Sequence, residues 1–346
     1  MSSIERKSDE IVLRAVQQKA SDIHIVPANS YSAVQFKINN RLVSYEKLKN
    51  SEAEKLISHF KFRSKMDIGE RRRPQNGSLK IQVKQHETNL RLSTLPTTPH
   101  ESLAIRVLPQ SEITTLNQLS LFPNQTDHLR LLMKKAHGLL LVSGPTGSGK
   151  TTTIYSLLSD EMLRGRRIIT IEDPIEKRND AFIQVEINEK AGVTYVEALK
   201  ATLRHDPDII MIGEIRDERT AQIAIRAAMT GHLVISTIHA TNCVGSISRL
   251  REFGCAKIDL KETIIGVVSQ RLLTLKCPLC NQHCSNYCCF NQNKRLAAYE
   301  ILSGSMLEMA LDHKDIPLNF ETLPRVIRKS IALGYVDIME YERWLC

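Results

Sequence analysis

Residues 144–152 read Gly144-Pro145-Thr146-Gly147-Ser148-Gly149-Lys150-Thr151-Thr152. They match the pattern Gly, four residues, Gly-Lys-Ser/Thr, which builds a phosphate cradle when a strand precedes it and a helix follows. Glycines let successive backbone N–H groups turn inward without a Cβ clash. The start of a helix adds a favourable dipole for an anion. Lys150 then reaches the β- and γ-phosphates, and Thr151 ligates Mg²⁺. Hydrolysis would further need carboxylates to orient water and to hold the metal. Two sites offer them. Glu172 and Asp173 follow the apolar run Ile168–Ile171, and Glu214 follows Ile209–Gly213. Both lie where a strand should end, which is where open α/β sheets bind ligands. A third run, Leu233–Thr237, is followed by Ile238 and His239. A lone histidine at a strand end is more often structural than catalytic. Strand order is not readable from the sequence, so periodicity leaves its role open.

These groups need a scaffold. Leu139–Ser143, Arg167–Glu172, Ile209–Gly213 and Leu233–Thr237 are apolar without alternation. That suits strands buried on both faces of a mostly parallel sheet. A helix over Thr151–Leu163 follows the cradle. Upstream, apolar spacing predicts a helix within Ile4–Ala20 and a strand over Ser21–Pro27. A hairpin is expected across Asn39-Asn40. Ser51, with Glu54 three residues on, predicts a helix opened by a capping box and running to Met66. Strands are expected over Leu79–Val83, Asn89–Leu95 and Leu103–Val107. The reading is an α/β chain: an α+β domain over 1–108, a linker over 109–123 and a phosphate-loop domain over 124–346, with a helical tail from about Ala297.

Composition narrows the classes. The chain has 346 residues, 42% hydrophobic and 25% charged, which is ordinary for globular proteins and argues against disorder. No run approaches the ~18 apolar residues that span a bilayer. The charged start shows no signal peptide, so the expectation is a cytoplasmic protein with peripheral membrane contact. The formal net charge is +9. Nearly all of it sits in residues 1–110, which hold 19 basic and 11 acidic side chains against 28 and 27 in the rest. Such asymmetry points to nucleic acid, an anionic membrane, an acidic protein or a shared phosphate site. Aromatics are only 5%, and none interleave with basic residues as in single-strand binders. Five of the eight cysteines lie in 277–289, which suggests metal chemistry more than a disulfide framework.

Taken in order, RRRPQNG, RLSTLP, GPTGSGKTTTIYSLL, IITIEDPIE and the stretch from RHDPDIIMIGEIRD to TIHATN resemble the secretion and pilus ATPases. These are hexameric motors of type II secretion and type IV pili. RRRPQNGSL, NEKAGVTY and IRKSIALGYVD look most like the competence-pilus assembly group of Gram-positive bacteria. The resemblance implies a RecA-like P-loop domain and a smaller PAS-like N-terminal domain. It implies ATP and Mg²⁺, self-assembly into a homohexamer, an inner-membrane platform protein as partner and pilin-like subunits moved indirectly, with no direct DNA binding. It makes Glu214 the catalytic glutamate that polarises water. Glu172 and Asp173 would assist Mg²⁺ and water, and His239 would contact the γ-phosphate. Arg91 and Arg106 would reach the phosphates from the N-terminal domain, with Arg72 and Arg73 as weaker matches. Two departures stand out. Assembly members commonly carry a further N-terminal docking domain that these residues do not show. Many also carry two separated Cys-x-x-Cys pairs that bind zinc. Here Cys277 and Cys280 form one pair, followed closely by Cys284, Cys288 and Cys289. Cys277, Cys280, Cys284 and Cys288 could close a tetrahedral Zn²⁺ site, with His283 as another ligand. A DNA translocase, a retraction motor and a nucleotide-gated scaffold are the competing readings.

Overall fold

A computed structural model of the chain describes residues 3–18, 20–38, 41–83, 86–98, 100–108, 115–277, 279–280, 295–312 and 319–345. It divides into two units, Met1–Ser111 and Glu112–Cys346.

The first unit runs α1 (Ser3–Gln17), β1 (Asp22–Pro27), β2 (Ser32–Ile38), β3 (Arg41–Leu48), α2 (Asn50–Arg63), β4 (Gln75–Val83), β5 (His86–Leu95) and β6 (Ser102–Leu108). The strands form one antiparallel sheet in the order β3-β2-β1-β6-β5-β4. Alternate residues Ile23, Ile25, Val34, Phe36, Leu90, Leu92, Leu103 and Ile105 bury against Ile11, Val12 and Ala15 of α1 and Leu56, Ile57 and Phe60 of α2. That period of two places one face of each strand in the core. The capping box does not form. Helix α2 starts at Asn50, and Lys49 caps it without a side-chain hydrogen bond. Asn50 instead receives the Ser32 hydroxyl at 2.8 Å and donates to the Ala28 carbonyl at 3.0 Å, fastening the helix start to the β1–β2 turn.

One buried ion pair closes this unit. Lys61 is 1% exposed; its Nζ lies 3.1 Å from Glu101 Oε2 and donates to the Glu70 carbonyl at 2.6 Å. Removing one partner strands a buried charge. Lys61→Met should therefore cost about 3–5 kcal/mol, and Lys61→Met with Glu101→Leu should recover most of it. Urea unfolding of the three proteins checks this; a single variant within 1 kcal/mol of wild type, on the scale expected of an exposed pair, would refute it.

The second unit contains α3 (Pro123–Met133), β7 (Gly138–Ser143), α4 (Lys150–Met162), β8 (Ile168–Glu172), β9 (Ile183–Glu186), α5 (Tyr195–Thr202), β10 (Ile209–Ile215), α6 (Glu218–Met229), β11 (Leu233–Ile238), α7 (Cys243–Glu252), α8 (Lys257–Thr263), β12 (Ile264–Thr274), β13 (Arg295–Ser303), α9 (Gly304–Leu311), α10 (Leu323–Ala332) and α11 (Ile338–Leu345). Its sheet runs β13-β12-β7-β11-β10-β8-β9, parallel throughout except for β13. Successive strand residues feed opposite cores. Leu139, Leu141, Ile210, Ile212 and Val234 join one cluster with α6 and α7. Leu140, Val142, Ile209, Met211, Leu233 and Ile235 join another with α3 and α4. Burial on both faces explains the unbroken apolar runs.

Two segments differ from the sequence expectation. Residues 295–303, expected at the start of a helical tail, are strand β13; helices begin only at Gly304. Leu296-Ala-Ala-Tyr-Glu-Ile-Leu is rich in helix formers, but pairing with β12 along the whole of β13 overrides that preference. Residues 115–122 lack a period, yet Leu116 is fully buried in the second unit's core and Ser120 bridges to Ala297.

Candidate functional site

Strand order brings the chemistry together. From β7 the sequence of neighbours is β11, β10, β8, so four strands present their C-terminal ends side by side. Ile238 of β11 is in register with Ser143 of β7 on one side and Ile215 of β10 on the other. His239 therefore follows the strand that separates the Gly144–Thr151 loop from Glu214.

The loop leaves β7 and enters α4 through three glycines with positive φ: Gly144 at 146°, Gly147 at 78° and Gly149 at 86°. At Gly144 a Cβ would also lie 2.6 Å from the Gln270 carbonyl oxygen, so both conformation and space demand glycine. Ser148 is buried, and its hydroxyl has no hydrogen-bond partner among the described residues. Lys150 Nζ donates to the carbonyls of Gly144, at 2.8 Å, and Pro145, at 3.2 Å. Burial pulls its pKa down, while the charges of Glu214 and Glu176 oppose that. Thr151 is half-buried at the head of α4, and Thr146 and Thr152 are exposed.

Glu214 is mostly buried, its side chain 12% exposed. Its Oε2 accepts from Arg216 Nε at 2.5 Å, and His239 Nε2 lies 2.7 Å from Oε1. The histidine contact is a close approach rather than an aligned hydrogen bond, because Oε1 receives no well-directed donor. The hydrogen bond from Arg216 raises the arginine's pKa and fixes the carboxylate.

The adjacent acids Glu172 and Asp173 part company. Asp173 is exposed, whereas Glu172 is 3% exposed and turned inward. Glu172 accepts from the Tyr155 hydroxyl at 2.7 Å, the Thr170 hydroxyl at 2.7 Å and Gln184 Nε2 at 3.4 Å. Burial pushes its pKa up, and these donors counteract the rise. Donors converge on it from several sides, so an amide would fit poorly. Glu172→Gln should destabilise the protein by about 1–3 kcal/mol. Thermal unfolding beside steady-state kinetics checks this; an unchanged Tm would show that the network tolerates an amide.

Sequence reasoning missed Gln270. It lies on β12, is 1% exposed, donates from Nε2 to the Ser148 carbonyl at 2.7 Å and accepts from the Thr153 hydroxyl at 3.0 Å. It braces the loop across the β7–β12 pairing. No local motif marks it, since it lies more than a hundred residues from its partners. Tyr195 also escaped notice; burial, with the charge of Asp173 next, raises its pKa, and its hydroxyl approaches Gly213.

In the first unit Arg91 and Arg106 stand directly opposite each other on β5 and β6. Like charges so placed repel, and Asp22 offsets the cost through Arg106 Nε at 3.0 Å. Cys277 is buried and Cys280 partly exposed. Cys284, Cys288, Cys289 and His283 lie outside the described residues, and among those described no group of three or more His, Cys, Asp or Glu could hold a metal. No helix of the described residues is long and apolar enough to cross a membrane.

A glycine-lined loop at a helix start, beside strands that end in Glu214 and His239, defines a P-loop ATPase. The family described as type II/IV secretion system protein matches residues 1–335, and the chain belongs to it. It is 48% identical to competence protein ComGA of Bacillus subtilis over 100% of this chain and 99% of that protein. It is 46% identical to ComGA of Halalkalibacterium halodurans, over 98% of both. Among solved structures, the pilus retraction motor PilT with bound ADP superposes with a TM-score of 0.71 at 27% identity, over 96% of this chain and 95% of that one. The ATPase DotB of Legionella pneumophila shares the fold, with a TM-score of 0.77 over 97% of this chain and 94% of that one, at 19% identity.

Proposed function

We propose that this chain is a hexameric motor that hydrolyses ATP to power assembly of a type IV-like competence pseudopilus, through which DNA uptake follows. The observation that carries the hydrolytic part is Glu214, held by Arg216 and faced by His239 two strands from the phosphate loop. Similarity to ComGA over essentially the whole of both chains directs that activity to competence.

In this reading the backbone of residues 144–152 cradles the phosphates, and Lys150 leaves its own loop carbonyls to engage them. The Thr151 hydroxyl and the exposed Asp173 are hard oxygen donors suited to Mg²⁺, which when bound would neutralise phosphate charge. Glu214 polarises the attacking water, and His239 reports the γ-phosphate. Glu172 positions the end of β8 rather than meeting water. Arg91 and Arg106 are assigned to phosphate by the family resemblance alone. The partners are further copies of the chain, an inner-membrane platform protein and, indirectly, pilin-like subunits. The protein works at the cytoplasmic face of the membrane, peripherally attached.

The test is a strain whose only copy carries Glu214→Gln. An assembly motor predicts loss of both the surface fibre and transformation. Fibres that persist or accumulate would instead favour retraction, the activity named for PilT. Hydrolysis stimulated by DNA, with salt-sensitive binding, would favour a translocase.

A further inference from the structure

The C-terminal helices are fastened to the nucleotide site at two points. The first is Arg271 on β12, only 8% exposed. Its Nη1 donates to the Gln270 carbonyl at 2.9 Å and its Nη2 to the Thr241 carbonyl at 2.7 Å. Gln270 braces the phosphate loop through Ser148. Thr241 lies two residues beyond His239. The guanidinium thus holds both halves of the site at once. Its carbon lies 5.5 Å from the centroid of the Trp344 ring on α11. Trp344 in turn donates to Glu340 Oε2 at 3.0 Å, and Glu340 Oε1 accepts from the Thr274 backbone at 3.3 Å, tying α11 to the end of β12.

The second point is Glu300 on β13, 3% exposed. Its Oε1 accepts from the backbone N–H of Cys243, at 2.8 Å, where the loop from His239 enters α7. Its Oε2 accepts from the N–H of Leu323, at 2.9 Å, the first residue of α10. One carboxylate therefore caps both helices, and a carboxylate at a helix start gains from the helix dipole. The loop of His239 is held between Arg271 and Glu300, and each of these also holds one C-terminal helix.

We propose that Arg271 is a positioning residue which, with Glu300, couples the His239 loop to helices α10 and α11, so that nucleotide state and the placement of these helices change together. This rests on the hydrolytic reading above. Arginine suits the task because its pre-organised planar fork donates in two directions while its face meets an aromatic ring, a geometry that lysine's flexible point charge does not reproduce.

The chain contains a single tryptophan, Trp344, so its own fluorescence reports the coupling. Wild type, Arg271→Lys and Lys150→Ala would be titrated with ADP and with a non-hydrolysable ATP analogue, with binding of a fluorescent nucleotide and phosphate release followed in the same samples. The expected result is a Trp344 emission change in wild type that differs between the two nucleotides and is lost in Arg271→Lys. In that variant kcat should fall about tenfold with KM within a factor of two, a transition-state loss of ~1.4 kcal/mol. A role confined to packing would leave Trp344 silent. If Arg271→Lys does not assemble, the wild type decides: emission that responds to nucleotide, with Lys150→Ala silent, supports the coupling. Nucleotide bound and hydrolysed while Trp344 stays silent overturns this inference alone. Absence of nucleotide binding overturns the functional reading with it.

Discussion

Glu214→Gln should bind ATP at least as tightly as wild type and release phosphate about 10²–10⁴-fold more slowly, the range for losing a positioned acid–base group. The amide keeps the shape of the side chain and can still accept from Arg216, whose Nε sits 2.5 Å from the carboxylate. What it loses is the negative charge that, in the proposed mechanism, polarises water. The same charge repels a γ-phosphate, so its removal should not weaken binding. His239 should lose its carboxylate neighbour, since its Nε2 lies 2.7 Å from Oε1. Phosphate release, beside binding of a fluorescent ATP analogue, measures both. Turnover within tenfold of wild type would move the water-orienting role to another group, with Asp173 the next to test.

Lys150→Ala should lose affinity as well as turnover. A hydrogen bond between charged groups contributes about 1.5–3 kcal/mol, which corresponds to roughly 10–150-fold in ATP affinity. Folding should be little affected. Lys150 Nζ donates to two carbonyls of its own loop, Gly144 and Pro145, and the Pro145 carbonyl also accepts from the Ser148 N–H at 3.2 Å, so the loop keeps a bond of its own when the ammonium is removed. Titration calorimetry with ATP and a thermal melt separate the effects. Affinity within threefold of wild type would show that Lys150 is not the phosphate ligand. Lys150→Arg is not a safe substitute, because a planar fork does not replace a compact ammonium in a tight loop.

How far the site was legible depends on how local each feature is. The phosphate loop is a stretch of nine residues whose glycines are dictated by backbone conformation, as the positive φ at Gly144, Gly147 and Gly149 bears out. The four parallel strands were readable because burial on two faces requires continuous apolar residues. The capping box failed because Asn50 found better partners in Ser32 and Ala28, which flank the β1–β2 turn about twenty residues away. Strand β13 failed because pairing with β12 outweighed the helix preference of its residues.

The residue types at the site, the strands that carry them and the ATPase class were determined by the sequence itself, since each is written in a short local pattern. Only the tertiary structure decided which of them meet. Strand order placed His239 between the phosphate loop and Glu214, and that order arises from pairings between strands about a hundred residues apart. Packing turned Glu172 into a buried cluster of donors and left its neighbour Asp173 exposed. The β7–β12 pairing brought Gln270 and Arg271 to a loop that no motif connects to them. The physical reason is the same in each case. Backbone conformation and burial period act over a few residues, whereas the convergence of polar side chains depends on which strands become neighbours.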